Sequence, residues 1–244
     1  MAHVKLRADL NLDSPTLVEG LPGAGLVGKI AADHLVDQFD MAHVASVHCD
    51  GLPPVAVYRG NDSTTMPPVR LYADEERDLL VLQSDVPVSP SSADDFAACC
   101  IGWFVEHDVL PLCLSGLPGG KDGVPEVYGI SIGDADGYLD DAGVVPPREA
   151  GLVSGPTGAL LNEALEREFP AIGLVTETEA KFPDPEAARA VLDHGIAPIA
   201  GIDVETEDLV EQAEEIQDAR EQLAQQIQDG GDESSEAQPI RGFQ

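Results

Sequence analysis

The stretch GLPGAGLVGK at 20–29 constrains the fold more than any other part of this chain. Leu17 and Val18 before it read as a short strand. After it, a helical pattern runs from about Ala24 to Val36, with Leu26, Ile30 and Leu35 on one side. Strand, glycine turn and helix make a βα unit, and such a unit buries its apolar faces only within a sheet covered by helices. The rest of the chain supplies that sheet. Val44 to Cys49 and Val55 to Arg59 read as strands. Val69 to Tyr72 and Leu79 to Gln83 read as a hairpin around the charged turn 74–78. Pro90 to His107 reads as a helix with serine at its start. Leu110 to Leu114 is an apolar run between turn residues, the pattern of a strand buried on both faces. Val127 to Ile132 and Ile172 to Val175 read as further strands, and Gly155 to Glu168 and Pro185 to His194 as helices, the latter with proline in its first turn. The expected fold is α/β: a mixed, largely parallel sheet flanked by helices on both faces.

Several chemistries fit the glycine stretch. Gly23, Gly25 and Gly28 match G-x-G-x-x-G after a strand and opening a helix, and Asp50 ends the next strand, as in dinucleotide sites. Glycines there let a backbone approach an anion at the positive end of a helix. Pro22 in the tight turn and the rigid GLPP after Asp50 speak against this reading. Gly23, Gly28 and Lys29 also approach a P-loop, but Ile30 stands where Ser or Thr would hold magnesium. The alternative is structural: the glycines allow a tight turn and close helix–strand packing. A ligand pocket at the carboxyl ends of the strands would draw on Gly20, Pro22, Gly23, Gly25, Asp50, Ser84, Asp85, Ser115, Gly116 and Glu177. HExxH does not occur, and the G-x-S-x-G match at 129–133 lies within an expected strand and not at a strand-to-helix elbow, so no catalytic residue, metal ligand or cofactor is expected from motifs. Cys49, Cys99, Cys100 and Cys113 lack paired or zinc-type spacing and read as small buried side chains.

Charge says where such a chain works. Lys and Arg number 13 against 45 Asp and Glu, for a formal charge of −32. Only Lys5, Lys29, Lys121 and Lys181 are lysines. That excess repels itself at low ionic strength, whereas in molar salt the screening length falls to roughly 3 Å. Acids spread along the whole chain therefore predict adaptation to a salty cytoplasm. No basic patch exists to neutralise phosphates, which argues against nucleic acid as a partner. No apolar run approaches the ~20 residues of a membrane span, and the start MAHVKLRADLNL lacks the apolar core of a signal peptide.

The C-terminal part differs from the 1–203 core. From 204 to 228 no proline or glycine occurs, and Leu209, Ala213, Ile216, Arg220, Leu223 and Ile227 follow spacings of 4, 3, 4, 3 and 4. This narrow seam predicts a helix laid either on its own domain or on a partner subunit. The stretch 229–244 reads as an acidic, disordered tail.

In this order, GLPGAGLVGKIAADHLV, DGLPPVAVYRG, PPVRLYA, LLVLQSDVPVSP, GALLNEA, PDPEAARAVL and GIDVETEDLVEQAEEI resemble the archaeal members of the proteasome assembly chaperone 2 family, over about Leu17 to Leu223. The resemblance implies a fold like that of purine nucleoside phosphorylases, no catalysis and no required cofactor. It implies self-association into a homo-oligomer and, for some members, ATP-independent help in assembling proteasome α subunits. It also makes the glycine segment a structural turn. Gly242-Phe243-Gln244 departs from the hydrophobic–tyrosine–any ending by which such chaperones dock on proteasomes. The expectation is thus a non-catalytic interaction protein. The alternative is a binder of, or enzyme acting on, a nucleoside-like or phosphorylated ligand at the strand ends.

Overall fold

The structure is a computed structural model that describes residues 3–8, 10–49, 52–58, 63–119, 123–179, 181 and 183–209. Asp50, the seam residues from Ala213 to Ile227 and the acidic tail lie outside the described residues. In chain order the elements are β1 (His3–Leu6), β2 (Thr16–Gly20), α1 (Val27–Gln38), β3 (Ala42–His48), β4 (Val57–Tyr58), β5 (Thr65–Met66), β6 (Val69–Asp74) and β7 (Leu79–Ser84). Then follow α2 (Ala93–Glu106), β8 (Leu110–Pro118), β9 (Val127–Ile132), α3 (Asp136–Ala142), α4 (Gly155–Glu166), β10 (Ala171–Thr178), α5 (Pro185–Val191) and α6 (Ala197–Ala200).

Eight strands form one sheet in the order β1-β3-β6-β7-β2-β8-β10-β9. The expected mixed sheet forms, and its parallel part is the central quartet β7-β2-β8-β10. The remaining pairings are antiparallel, because the β6–β7 hairpin is inserted on one side and β1 and β9 close the two edges. The central strands show why the sheet needs helices on both sides. Val18, Leu79, Val81, Leu112 and Leu114 enter one apolar core, while Leu17, Leu80, Leu82 and Cys113 enter the other. This is the period-two alternation of a strand buried on both faces. α1 fills the first core with Val27, Ala31 and Leu35, one helical turn apart. α2 and α4 fill the second with Phe96, Cys100, Phe104, Leu160 and Ala164.

Three expectations change. The strand from Val55 to Arg59 shrinks to β4, which leaves the main sheet and pairs with β5 alone. Pro53, Pro54, Pro67 and Pro68 flank this ribbon, and proline cannot donate to a ladder. The helix expected from Pro185 to His194 widens at Leu192–Ile196 into a π-turn before α6. Pro198 follows without an N–H to give back, and the wider turn absorbs the missing bond. Of the four cysteines, Cys100 and Cys113 are buried but Cys49 and Cys99 are only half-buried. Beyond α6, Ile202 and Val204 pack on the first core, and Leu209 is buried within it. The backbone N–H of Glu205 donates to Gln38 Oε1 at 3.2 Å, and Thr206 donates to Asp193 at 3.1 Å. The first seam residue thus packs on its own domain.

Candidate functional site

The carboxyl ends of the parallel strands collect most of the residues singled out in the sequence. After β7 the chain crosses to α2 on one face, and after β2 it crosses to α1 on the other, so the ends of these neighbouring strands form the natural crevice of the sheet.

The glycine turn sits in this crevice and is filled by the protein itself. Gly25 has φ +62°, and a Cβ there would overlap the Thr178 hydroxyl and press on Asp184. Asp184 donates its backbone N–H to Gly25 O at 2.8 Å. Its carboxylate accepts from Thr178 Oγ1 at 3.0 Å and from the Glu179 and Ala187 N–H groups, so it also caps α5. A Cβ at Gly20 would overlap Ala32 of α1. A Cβ at Gly116 would lie 2.7 Å from Ala24 O. These three glycines therefore serve close packing, and the space an anion would need at the turn holds Thr178 and Asp184. Gly23 is exposed with nothing near it, and Pro22 is half-buried. Ser115, Gly116 and Glu177 are half-buried on the paired ends of β8 and β10.

Asp85 belongs to a charged cluster beside this turn. Arg70 of β6 is fully buried. It donates to Asp85 at 2.6 Å, Gln83 Oε1 at 2.5 Å, Tyr72 Oη at 3.0 Å and Pro67 O at 2.6 Å. Lys29, at the start of α1, bridges Asp33 at 2.6 Å and Asp85 at 3.3 Å, and Gln83 donates to Asp33. Two cations, two carboxylates and an amide are thus spent on one another. Ser84 is buried, with its hydroxyl donating to Val86 O at 2.6 Å.

Sequence reading missed Glu19, the most perturbed acid of the crevice. It is 1% exposed on β2 and accepts from the Leu114 N–H at 2.8 Å, the Thr157 hydroxyl at 3.1 Å and the Leu21 N–H at 3.3 Å. Burial pushes its carboxyl up to about 7, against the pull of these three donors. The only signal in the sequence is one acid inside the apolar run LVEG. Burial likewise raises the thiols of Cys100 and Cys113, which keeps them neutral. At the opposite end of the sheet, a cleft of about 380 Å³ lies between the 76–78 turn and residues 201–203. Arg77 beside it is engaged by Asp74 at 2.5 Å and lies over the Phe39 ring.

Comparison with known proteins agrees with this fold. A crystal structure of Pyrococcus furiosus PbaA, described as an archaeal homolog of proteasome-assembly chaperone, superposes with a TM-score of 0.79 at 25% identity, covering 94% of this chain and 99% of that one. P. furiosus PbaB, described as an archaeal proteasome activator, has the same fold, with a TM-score of 0.73 at 22% identity over 91% of this chain and 98% of that one. An uncharacterised protein of Methanocaldococcus jannaschii is 29% identical over 222 residues, 90% of each chain. No helix among the described residues is long and apolar enough to cross a membrane. The PAC2 family model matches residues 17–224, and the chain belongs to that family.

Proposed function

We propose that this chain is a non-catalytic, self-associating interaction protein that assists assembly of proteasome α subunits without ATP, in a cytoplasm of high salt. The observation that carries the reading is the end-to-end likeness to PbaA, at a TM-score of 0.79. The chemistry of the crevice supports it. The glycine turn is filled by Thr178 and Asp184, and Arg70, Asp85, Lys29 and Asp33 neutralise one another. Such a crevice holds a fold together and leaves recognition to the outer surface. The −32 charge suits molar salt, where surface repulsion is screened.

Purified chain is mixed with the α subunits of an archaeal proteasome in concentrated KCl, and capture and ring formation are followed by sizing. Binding with faster ring formation, unchanged when ATP is removed, is the expected result. Absence of any α-subunit binding, together with normal proteasome assembly in a strain lacking the protein, would sink the chaperone reading.

A further inference from the structure

We propose that His3 and His48 form a metal site of the zinc type that clips the edge strand β1 to β3. The site is independent of the chaperone reading, and either can fail without the other.

The two histidines stand forty-five residues apart, so no spacing motif marks them. Strand pairing brings them together. β1 and β3 run antiparallel, and His3 lies directly opposite His48. The next pair, Val4 and Val47, turns into the second core. Side chains alternate along a strand, so both imidazoles project from the other face. Both histidines are exposed, at the open edge of the sheet.

Their separation is that of a chelate. The ring centroids lie 5.2 Å apart, with 17° between the planes. Zinc binds imidazole nitrogen at about 2.05 Å and prefers tetrahedral angles. The metal then sits about 3.2 Å from each centroid, and two rings on one ion have their centroids about 5.2 Å apart. The backbone is therefore already spaced for both ligands. Only the rings must turn, from stacked to converging. The ring torsion of histidine is broad, and exposed rings turn at little cost.

The surroundings narrow the class of ion. Imidazole suits zinc, copper and nickel, whereas magnesium and calcium take oxygen ligands. Lys5 lies two residues from His3 on the same side of the strand. Its charge opposes a hard dication held by attraction alone. It suits an ion that keeps an anion such as chloride in an open position. Coordinate bonds to nitrogen also persist in molar salt, which screens ion pairs. β1 has four residues and His3 is the first, so the metal ties down the outer end of this edge strand.

The test titrates zinc chloride into the full untagged chain in about 2 M KCl and reads the heat. The expected result is one zinc per chain, bound at least about tenfold more weakly by folded His3→Ala and His48→Ala, since each loses a ligand. Magnesium chloride is expected to give no such binding. With copper(II) as a second probe, electron paramagnetic resonance is expected to show two nitrogen ligands. Absence of zinc binding below millimolar concentration overturns the site. Equal affinity in either folded variant does the same. So does like behaviour of zinc and magnesium, the mark of diffuse binding by surface carboxylates. Where a variant does not fold, hydrogen exchange of the wild type decides. The amides of His3–Leu6 are expected to gain protection with zinc, and unchanged protection overturns the clip.

Discussion

Glu19 on β2 accepts the backbone N–H of Leu114 on β8 at 2.8 Å, just beyond the point where the two strands stop pairing at Val18 and Leu112. As the strands diverge, the carboxylate replaces a missing ladder partner. The bond stabilises an amide that would otherwise be orphaned in the core, at the cost of burying an acid.

That cost depends on pH, and its sign follows from linkage. The folded-state value of about 7 lies above the ordinary 4.5, so between these values the folded state holds the extra proton. Stability therefore falls as pH rises from 4.5 to 7, by about 3 kcal/mol, and is flat outside that window. Melting temperatures of wild type and Glu19→Gln, measured in high salt across pH 4 to ~9, are expected to converge below 4.5 and to favour Gln above 7. A constant difference between the two curves would contradict the assignment. Glu19→Ala, which orphans the Leu114 N–H, is expected to be less stable than Glu19→Gln by ~1–3 kcal/mol at every pH, since neither variant titrates there.

The glycines of the turn are expected to divide into two kinds. Gly25→Ala combines a left-handed backbone with a clash on Thr178 and should destabilise by about 3 kcal/mol. Gly23→Ala, with nothing near its Cβ, should stay within about 0.5 kcal/mol of wild type. Thermal melts of the two variants give the contrast directly. A phosphate-cradling loop would instead make both glycines matter for ligand binding and neither chiefly for folding.

Arg70 is expected to tolerate no other cation. Its guanidinium serves Asp85, Gln83, Tyr72 and Pro67 at once. Arg70→Lys supplies a single point charge to that fork and should cost nearly as much as Arg70→Met, about 3 kcal/mol. Guanidinium denaturation reads the loss. A lysine variant as stable as wild type would show that charge alone suffices.

Much of this architecture was legible in the sequence, and the failures have physical causes. The run from Leu110 to Leu114 and the hairpin around 74–78 carry their periodicity locally, and both formed as read. β1, with the short sequence HVKL, has no such signal, because it is a largely exposed edge held by pairing with β3 some forty residues later and by Val4 on the second core. α3, the short DGYLDDA with three aspartates, reads as a loop until packed beneath β9. At the crevice the glycines were visible, but Thr178 and Asp184, which fill them, come from the far end of the chain. Glu19 looked like one acid among 45 because its burial follows from the divergence of two strands distant in sequence.

Nucleosides and nucleotides at millimolar concentration are expected to leave the melting temperature unchanged. A shift of several degrees with any of them would move the reading towards a ligand-binding protein at the strand ends, and Gly25 and Asp85 would be the first residues to vary.

Salt is expected to govern assembly. From Glu205 to Glu236 the sequence carries twelve acids opposed by Arg220 alone, so copies brought together repel strongly unless screened. Light scattering over a KCl series should show assemblies coming apart below roughly 0.5 M. Mass that stays constant down to dilute buffer would contradict this.

The strand order has a consequence for synthesis. β2 emerges early from the ribosome, yet both its neighbours, β7 and β8, come sixty to ninety residues later, and β10 must enter between β8 and β9 after both exist. No N-terminal fragment can complete the sheet: β1, β3, β6, β7, β2 and β8 can pair once residue 118 is made, but β8 keeps an open apolar edge and β9 has no neighbour until residue 178 is made. Such long-range pairing folds slowly, on the millisecond-to-second scale, and exposes strand edges to aggregation meanwhile. The −32 charge adds a repulsion between unfinished chains, strongest in dilute buffer and weakened as salt screens it, while their outer strands wait for partners.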